Sequence, residues 1–244
     1  IVIGVTAVIA LVSIVEGVTN EITSQFSELG AGKITVQAFG TPLKRGLTDN
    51  DIQNLSKIKN ISGVAPALNF TSSAVKNGKV EEDITVEGKN EVYFKNSDLA
   101  VARGRAFNIL DMQSKNKVCI INQDLAEMLF FGSDPLGQTM LIGGTTYTVV
   151  GILSDKASAD VMSMITVNSG SDGKAIIPYT TAMGMAGVGN ITALEIFITD
   201  AGKTDEVIDE AELVLNQAFN YKDDSFNIIN LESLMDTMDT MTGI

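Results

Sequence analysis

Two regions at opposite ends of this 244-residue chain carry the same succession of hydrophobic periods. In the first, the alternating Ile34, Val36 and Ala38 read as a strand. Thr48 with Asp51 three positions on resembles a capping pair, Ile52, Leu55 and Ile58 supply a short apolar helical face, and a second strand is predicted near Val64 to Val75. In the last, Ile191 to Thr199 (ITALEIFIT) reads as a strand and Thr204 as the cap of a helix. The apolar positions Val207, Ile208, Ala211, Val214, Leu215 and Ala218 recur there at helical spacing, and Phe226 to Leu231 is another strand. Two strand-helix-strand units so far apart suggest one α+β domain with something inserted between them.

The middle of the chain, about residues 90–178, is richer in strands and turns. Gln138 to Ile142 and Thr145 to Leu153 flank Gly143-Gly144, a two-residue signal for a β-hairpin. Between Asp155 and Gly173 the Ser, Ala, Asp and Gly content predicts a mobile surface loop.

A different problem is set by Ile1 to Val15 (IVIGVTAVIALVSIV), which carries no charge and needs lipid or a deep core around it. At the helical rise these positions cover about 22 Å, short of the roughly 30 Å of a bilayer's hydrocarbon core. A signal peptide would show a basic start and an A-x-A-like cleavage site, and a core helix a polar stripe, whereas only Thr6 and Ser13 are polar. The preferred reading is a transmembrane helix cut short, which the initial Ile also suggests. Val15, Val18, Ile22, Phe26 and Leu29 then continue it as an amphipathic stalk that Gly30 and Gly32 close. Leu234, Met238 and Met241 mark a final helix that returns to the membrane.

Seventeen basic against thirty acidic residues give a net charge of −13, a field that repels nucleic acid. The stalk has no Lys or Arg before Lys33, which favours an extracytoplasmic placement. The single cysteine, Cys119, lies in an apolar run and reads as a core residue. The absence of histidine removes the usual general base near neutral pH and the commonest metal ligand, which excludes His-dependent hydrolytic and zinc chemistry.

No catalytic, cofactor or metal residue is assigned, because each candidate motif lacks a part its chemistry needs. Gly132 to Thr139 (GSDPLGQT) approaches a phosphate-binding loop but has Gln138 where the lysine belongs, and a strand rather than a helix follows. Asn168 to Tyr179 approaches a calcium loop but has Gly170 at the third ligand position and Tyr179 at the twelfth. Glu81, Glu82 and Asp83 are adjacent in an extended segment and so point to alternate faces, which fits a solvated turn better than paired acid/base work. Met162, Met164, Met183 and Met185, near predicted loops, could build an adaptable apolar surface, although core filling is the preferred reading. Met235, Met238 and Met241 are placed on the final helix.

IVIGVTAVIALVSIVEGV and ITSQFSELGAGKITV (Ile22 to Val36), then LAVARGRAF (Leu99 to Phe107), KVCIINQDLAEMLF (Lys117 to Phe130) and FGSDPLGQTMLIGGTTYTVVGIL (Phe131 to Leu153), resemble the extracytoplasmic core domain of MacB-type ABC transporter permeases. FtsX-like and lipoprotein-releasing permeases fall in the same superfamily. The most specific segment is G-x-DP-x-G before a hairpin that ends V-x-G-[IV].

The resemblance implies a porter-like lobe made from the two ends of the segment with a β-rich lobe inserted, on a dimeric permease of four membrane helices per subunit. The corresponding division is a truncated transmembrane helix 1–15, a stalk helix 16–30, the first half of the porter-like lobe 31–89, the inserted lobe 90–178, the second half 179–231 and a helix returning to the membrane 232–244. It also implies no enzymatic role for the domain itself. Hydrolysis of ATP by a separate nucleotide-binding domain would be transmitted through the stalk to drive export or to move a partner, with an adaptor or membrane-fusion protein as a further partner. A singly anchored extracellular sensor or ligand-binding domain is the alternative.

Overall fold

The computed structural model describes residues 32–96, 101–154 and 173–230. The predicted membrane run and stalk, the loop after Asp155, the calcium-like loop up to Asp172, the returning helix, and Met162, Met164, Met235, Met238 and Met241 lie outside the described residues. Among the described residues no helix is long and apolar enough to cross a membrane.

The two end regions build one sheet. Strands β1 (Lys33–Ala38), β2 (Ile61–Pro66), β10 (Ala193–Ile198) and β11 (Phe226–Asn230) lie in the order β11-β1-β10-β2 with every neighbour antiparallel. Helices α1 (Asp49–Leu55) and α6 (Thr204–Ala218) join them into a split β-α-β pair, the ferredoxin-like arrangement. Period-2 alternation puts Ile34 and Val36 of β1 and Leu194 and Ile196 of β10 on one face. There they form a core with Leu55 of α1, Val207, Ala211 and Leu215 of α6, and Phe219 just beyond it. Asp51 accepts both the Thr48 N–H and the Thr48 hydroxyl at 2.8 Å, so the predicted capping pair forms at α1. At α6 the structure corrects the sequence reading. A 3-10 turn, Ala201–Lys203, runs into the helix, Lys203 takes the cap position and Thr204 is the first helical residue.

The segment predicted as one strand from Val64 to Val75 is two strands in two sheets. β2 is an edge strand, where a proline is tolerated because its missing N–H faces away from β10, and after Pro66 the chain leaves this sheet for β3 (Leu68–Lys76). The second sheet therefore begins at Leu68 rather than at residue 90, because β3 and β4 (Lys79–Lys89) belong to it with β5 (Val101–Gly104), β6 (Val118–Ile121), β7 (Thr139–Ile142), β8 (Thr145–Leu153) and β9 (Lys174–Pro178). Its order is β5-β8-β6-β9-β4-β3-β7, and β8 also pairs with β7. The sheet thus closes into a six-stranded barrel with β5 added beside the far end of β8. Gly143 and Gly144 have φ of 55° and 79°, the left-handed pair that a tight β7–β8 hairpin requires.

Ala74, Ile84, Val86, Cys119, Ile121, Met140, Tyr147, Val149 and Ile177 fill the barrel, together with Leu125 and Leu129 of α4 (Gln123–Phe130). Helix α5 (Tyr179–Ala186) serves both lobes. Its Ala182 and Met185 pack on the barrel core, and Tyr179 and Met183 pack on the four-stranded lobe. The two methionines read as near loops are thus on a helix. Its approach depends on Gly88, where a Cβ would lie 2.6 Å from the Ala182 Cβ and 3.3 Å from the Tyr179 Cα. Gly88→Ala is expected to lower stability by about 1–3 kcal/mol through overpacking, and an unchanged midpoint in thermal unfolding would refute this account.

Candidate functional site

The face of the four-stranded sheet opposite its helices meets the outer wall of the barrel. The residues there come from both lobes and from two short helices, α2 (Glu91–Asn96) and α3 (Ile109–Gln113). Ala65 of β2 and Phe197 of β10 pack with Tyr93 of α2, Phe107 and Met112 around α3, and Ile120, Leu153 and Ile176 of the barrel wall. Alternation explains the placement, since Ile120 and Ile176 are the outward neighbours of the inward Ile121 and Ile177. The aromatic rings interlock edge to face, with centroids 5.5 Å apart for Tyr93–Phe94, 6.1 Å for Tyr93–Phe197 and 5.4 Å for Phe94–Phe107.

Charge is buried in the same junction. Glu195 of β10 accepts from Lys33 Nζ at 3.2 Å on Oε1 and from Lys89 Nζ at 3.1 Å on Oε2. The Glu195 and Lys89 side chains are 4% and 3% exposed, so the pair is screened from water. Lys89 also stands 4.2 Å from the centre of the Tyr93 ring. A second buried pair on the same face of β4, Glu87 and Lys174, meets at 2.9 Å as charges without hydrogen-bond alignment.

Two further features fix the junction. Asp111, buried in α3, takes Arg105 through both oxygens at 2.7 and 3.2 Å, the Asn108 N–H at 3.0 Å and the Asn116 amide at 3.1 Å. Burial pushes the Asp111 carboxyl up, but these donors outweigh it and hold the group below the ordinary 3.8. The α3 turn then receives α5, whose Thr180 and Thr181 hydroxyls donate to the carbonyls of Met112 and Asn116. On the other side of α5, Tyr179 donates to Asp49 at 3.1 Å, beside an open cleft of about 440 Å³ that Leu47, Lys115, Met183 and Ile191 help to line. Burial first and then the Asp49 charge push the Tyr179 hydroxyl up to about 12, so it stays a hydrogen-bond donor near neutral pH.

The motifs weighed in the sequence fall elsewhere. Gly132 to Gln138 is a turn between α4 and β7, where Asp134 pairs with Arg103 at 2.7 Å and accepts the Leu136 N–H. Glu81 is half-buried while Glu82 and Asp83 are exposed in the outer half of β4. Cys119 is in the barrel core, and burial pushes its thiol far up, which leaves it inert as a nucleophile near neutral pH. Among the described residues no cluster of His, Cys, Asp and Glu gathers that could hold a metal ion.

A lobe built from both ends of the chain, an inserted barrel and a packed, charge-paired junction between them define a class of domain. The family model described as MacB-like periplasmic core domain matches residues 1–213, and the chain belongs to that family. It is the extracytoplasmic domain of a MacB-like ABC transporter permease.

Among curated relatives, the macrolide export ATP-binding/permease protein MacB of Bartonella henselae is 27% identical over 209 residues, 82% of this chain and 30% of that protein. MacB of Rhodospirillum rubrum is 27% identical over an alignment of 247 positions that covers 98% of this chain and 37% of that protein. The probable syringafactin export protein SyfD of Pseudomonas syringae is 26% identical, over 98% of this chain and 35% of that protein. The chain thus spans about a third of the length of the curated relatives it matches.

Solved structures show the same fold. The periplasmic region of MacB from Actinobacillus actinomycetemcomitans aligns at a TM-score of 0.70 with 21% identity, covering 86% of this chain and 94% of that one. The extracellular domain of the transporter YknZ, from Gram-positive bacteria, aligns at 0.66 with 21% identity, covering 81% of this chain and all of that one.

Proposed function

We propose that this domain transmits movement within an ABC exporter, receiving it through the stalk and passing it to exported substrate or to a partner protein outside the membrane. The observation that carries the reading is where the chain enters and leaves the four-stranded sheet. β1 and β11 are antiparallel neighbours, with Ile34 opposite Asn230, so entry and exit lie side by side. This is the geometry of a domain inserted between two membrane helices, and it supports the permease over the singly anchored sensor, which needs no return of the chain.

In this reading the four-stranded lobe, 33–66 and 193–230, is the porter-like half, and the barrel from Leu68 to Pro178 is the insertion. The permease is a homodimer in the membrane, and an adaptor or membrane-fusion protein docks on the outer domain. ATP is hydrolysed by a nucleotide-binding domain, fused or separate, and the domain itself has no catalytic residues. Sequencing the parent gene outward tests the reading first. Three further apolar spans after Ile244, with an ATPase in the same chain or encoded beside it, are expected; a stop codon soon after Ile244 would leave the anchored sensor in front.

A further inference from the structure

We infer that Glu195 is a two-handed clamp, tying the first residue of β1 to the last residue of β4 so that movement of the entry strand is passed to the barrel through one buried carboxylate. Each oxygen holds a lysine from a different lobe. Lys33 opens β1 in the four-stranded sheet, and Lys89 closes β4 in the barrel wall. Lys33 is also the residue with which the chain enters the four-stranded sheet, so any pull on the entry strand reaches Lys33 at once.

Adhesion alone does not account for such a device. Taking these charges out of water costs about as much as their attraction returns, and apolar side chains of similar volume would hold the lobes together as well. An ion pair differs in being directional. Apolar contact has no preferred direction, whereas charge-assisted hydrogen bonds near 3 Å are lost when either partner shifts by an ångström or two. The Tyr93 ring beneath Lys89 keeps the ammonium in place, so the clamp has a fixed anchor on the barrel side.

The inference rests on the proposed function only in taking β1 as the side on which movement enters; the clamp itself is tested within this chain. Spin labels at Leu213→Cys on α6 and Val80→Cys at the start of β4, both exposed sites, report the distance between the lobes in the 244-residue chain in detergent micelles, while the buried Cys119 is protected from labelling. With the clamp intact a single narrow distance is expected. Lys89→Met, Lys33→Met and the double replacement Glu195→Met with Lys89→Met are each expected to lose it in favour of a broad distribution.

The Lys33→Met variant separates a two-handed clamp from a simple pair, because Glu195 and Lys89 remain in it. A narrow distribution unchanged by Lys33→Met overturns the inference, and so does one unchanged in the double variant. The double variant decides the matter if Lys89→Met alone fails to fold, since it leaves no unpaired charge on either of those two residues. A parent gene without transporter spans would sink the proposed function and leave these distances as they are.

Discussion

Tyr93→Ala is expected to destabilise the chain by about 3–5 kcal/mol, the cost of emptying a large aromatic site in a closed core. Tyr93 is 1% exposed and is held on three sides, by Phe94, by Phe197 from the four-stranded sheet and by Lys89 from the barrel. No neighbouring element is free to collapse into the space, because Phe197 and Ile176 belong to hydrogen-bonded strands of two different sheets. The loss falls on the junction rather than on either lobe's own core. Urea unfolding followed by hydrogen exchange of each sheet should therefore show the lobes uncoupling, with one sheet exchanging before the other, where the unsubstituted chain loses both together. A loss below about 1 kcal/mol would mean that the third core is not what joins the lobes.

How much of this junction could be read beforehand depends on how local its cause is. The β7–β8 hairpin was legible because Gly143-Gly144 alone requires it, and the α1 capping pair because its partners are three residues apart. Helix α6 was legible from the spacing of Val207, Ala211 and Leu215, whereas its start was not, since a 3-10 turn leaves no apolar period behind. Barrel closure depends on β3 meeting β7 and β4 meeting β9, pairings set by packing across long stretches of chain.

The crossing at Pro66 was hidden because the alternation runs on through it, and the proline was the overlooked sign. Glu195 had left a sign too. It is the lone charge in ITALEIFIT, and such a charge in a buried strand calls for a cation nearby. That the cations are Lys33 and Lys89 follows only once the sheets are placed, because they lie 162 and 106 residues away.

Asp111→Ala is expected to cost about 2–3 kcal/mol, because it strips a buried acceptor from the Asn108 N–H and the Asn116 amide and from Arg105, which is half in water and can rehydrate. The effect should reach beyond α3, since the Met112 and Asn116 carbonyls that receive Thr180 and Thr181 of α5 sit on the turn that Asp111 braces. Its pH dependence gives a sharper test. The folded-state pKa of Asp111 is held below the ordinary 3.8, so the unfolded chain takes up the proton first. The stabilisation is complete above the unfolded value and drains away as pH falls through the folded one. Asp51, where burial is likewise outweighed by Lys44 and Thr48, adds a second contribution of the same sign.

The unsubstituted chain should therefore lose stability steeply below about pH 4, while Asp111→Ala, already weaker at pH 7, should decline less over the same interval. Parallel acid limbs for the two proteins in urea titrations would show that the Asp111 carboxylate is no better held in the folded chain than in the unfolded one, and that α3 is braced by something other than this charge.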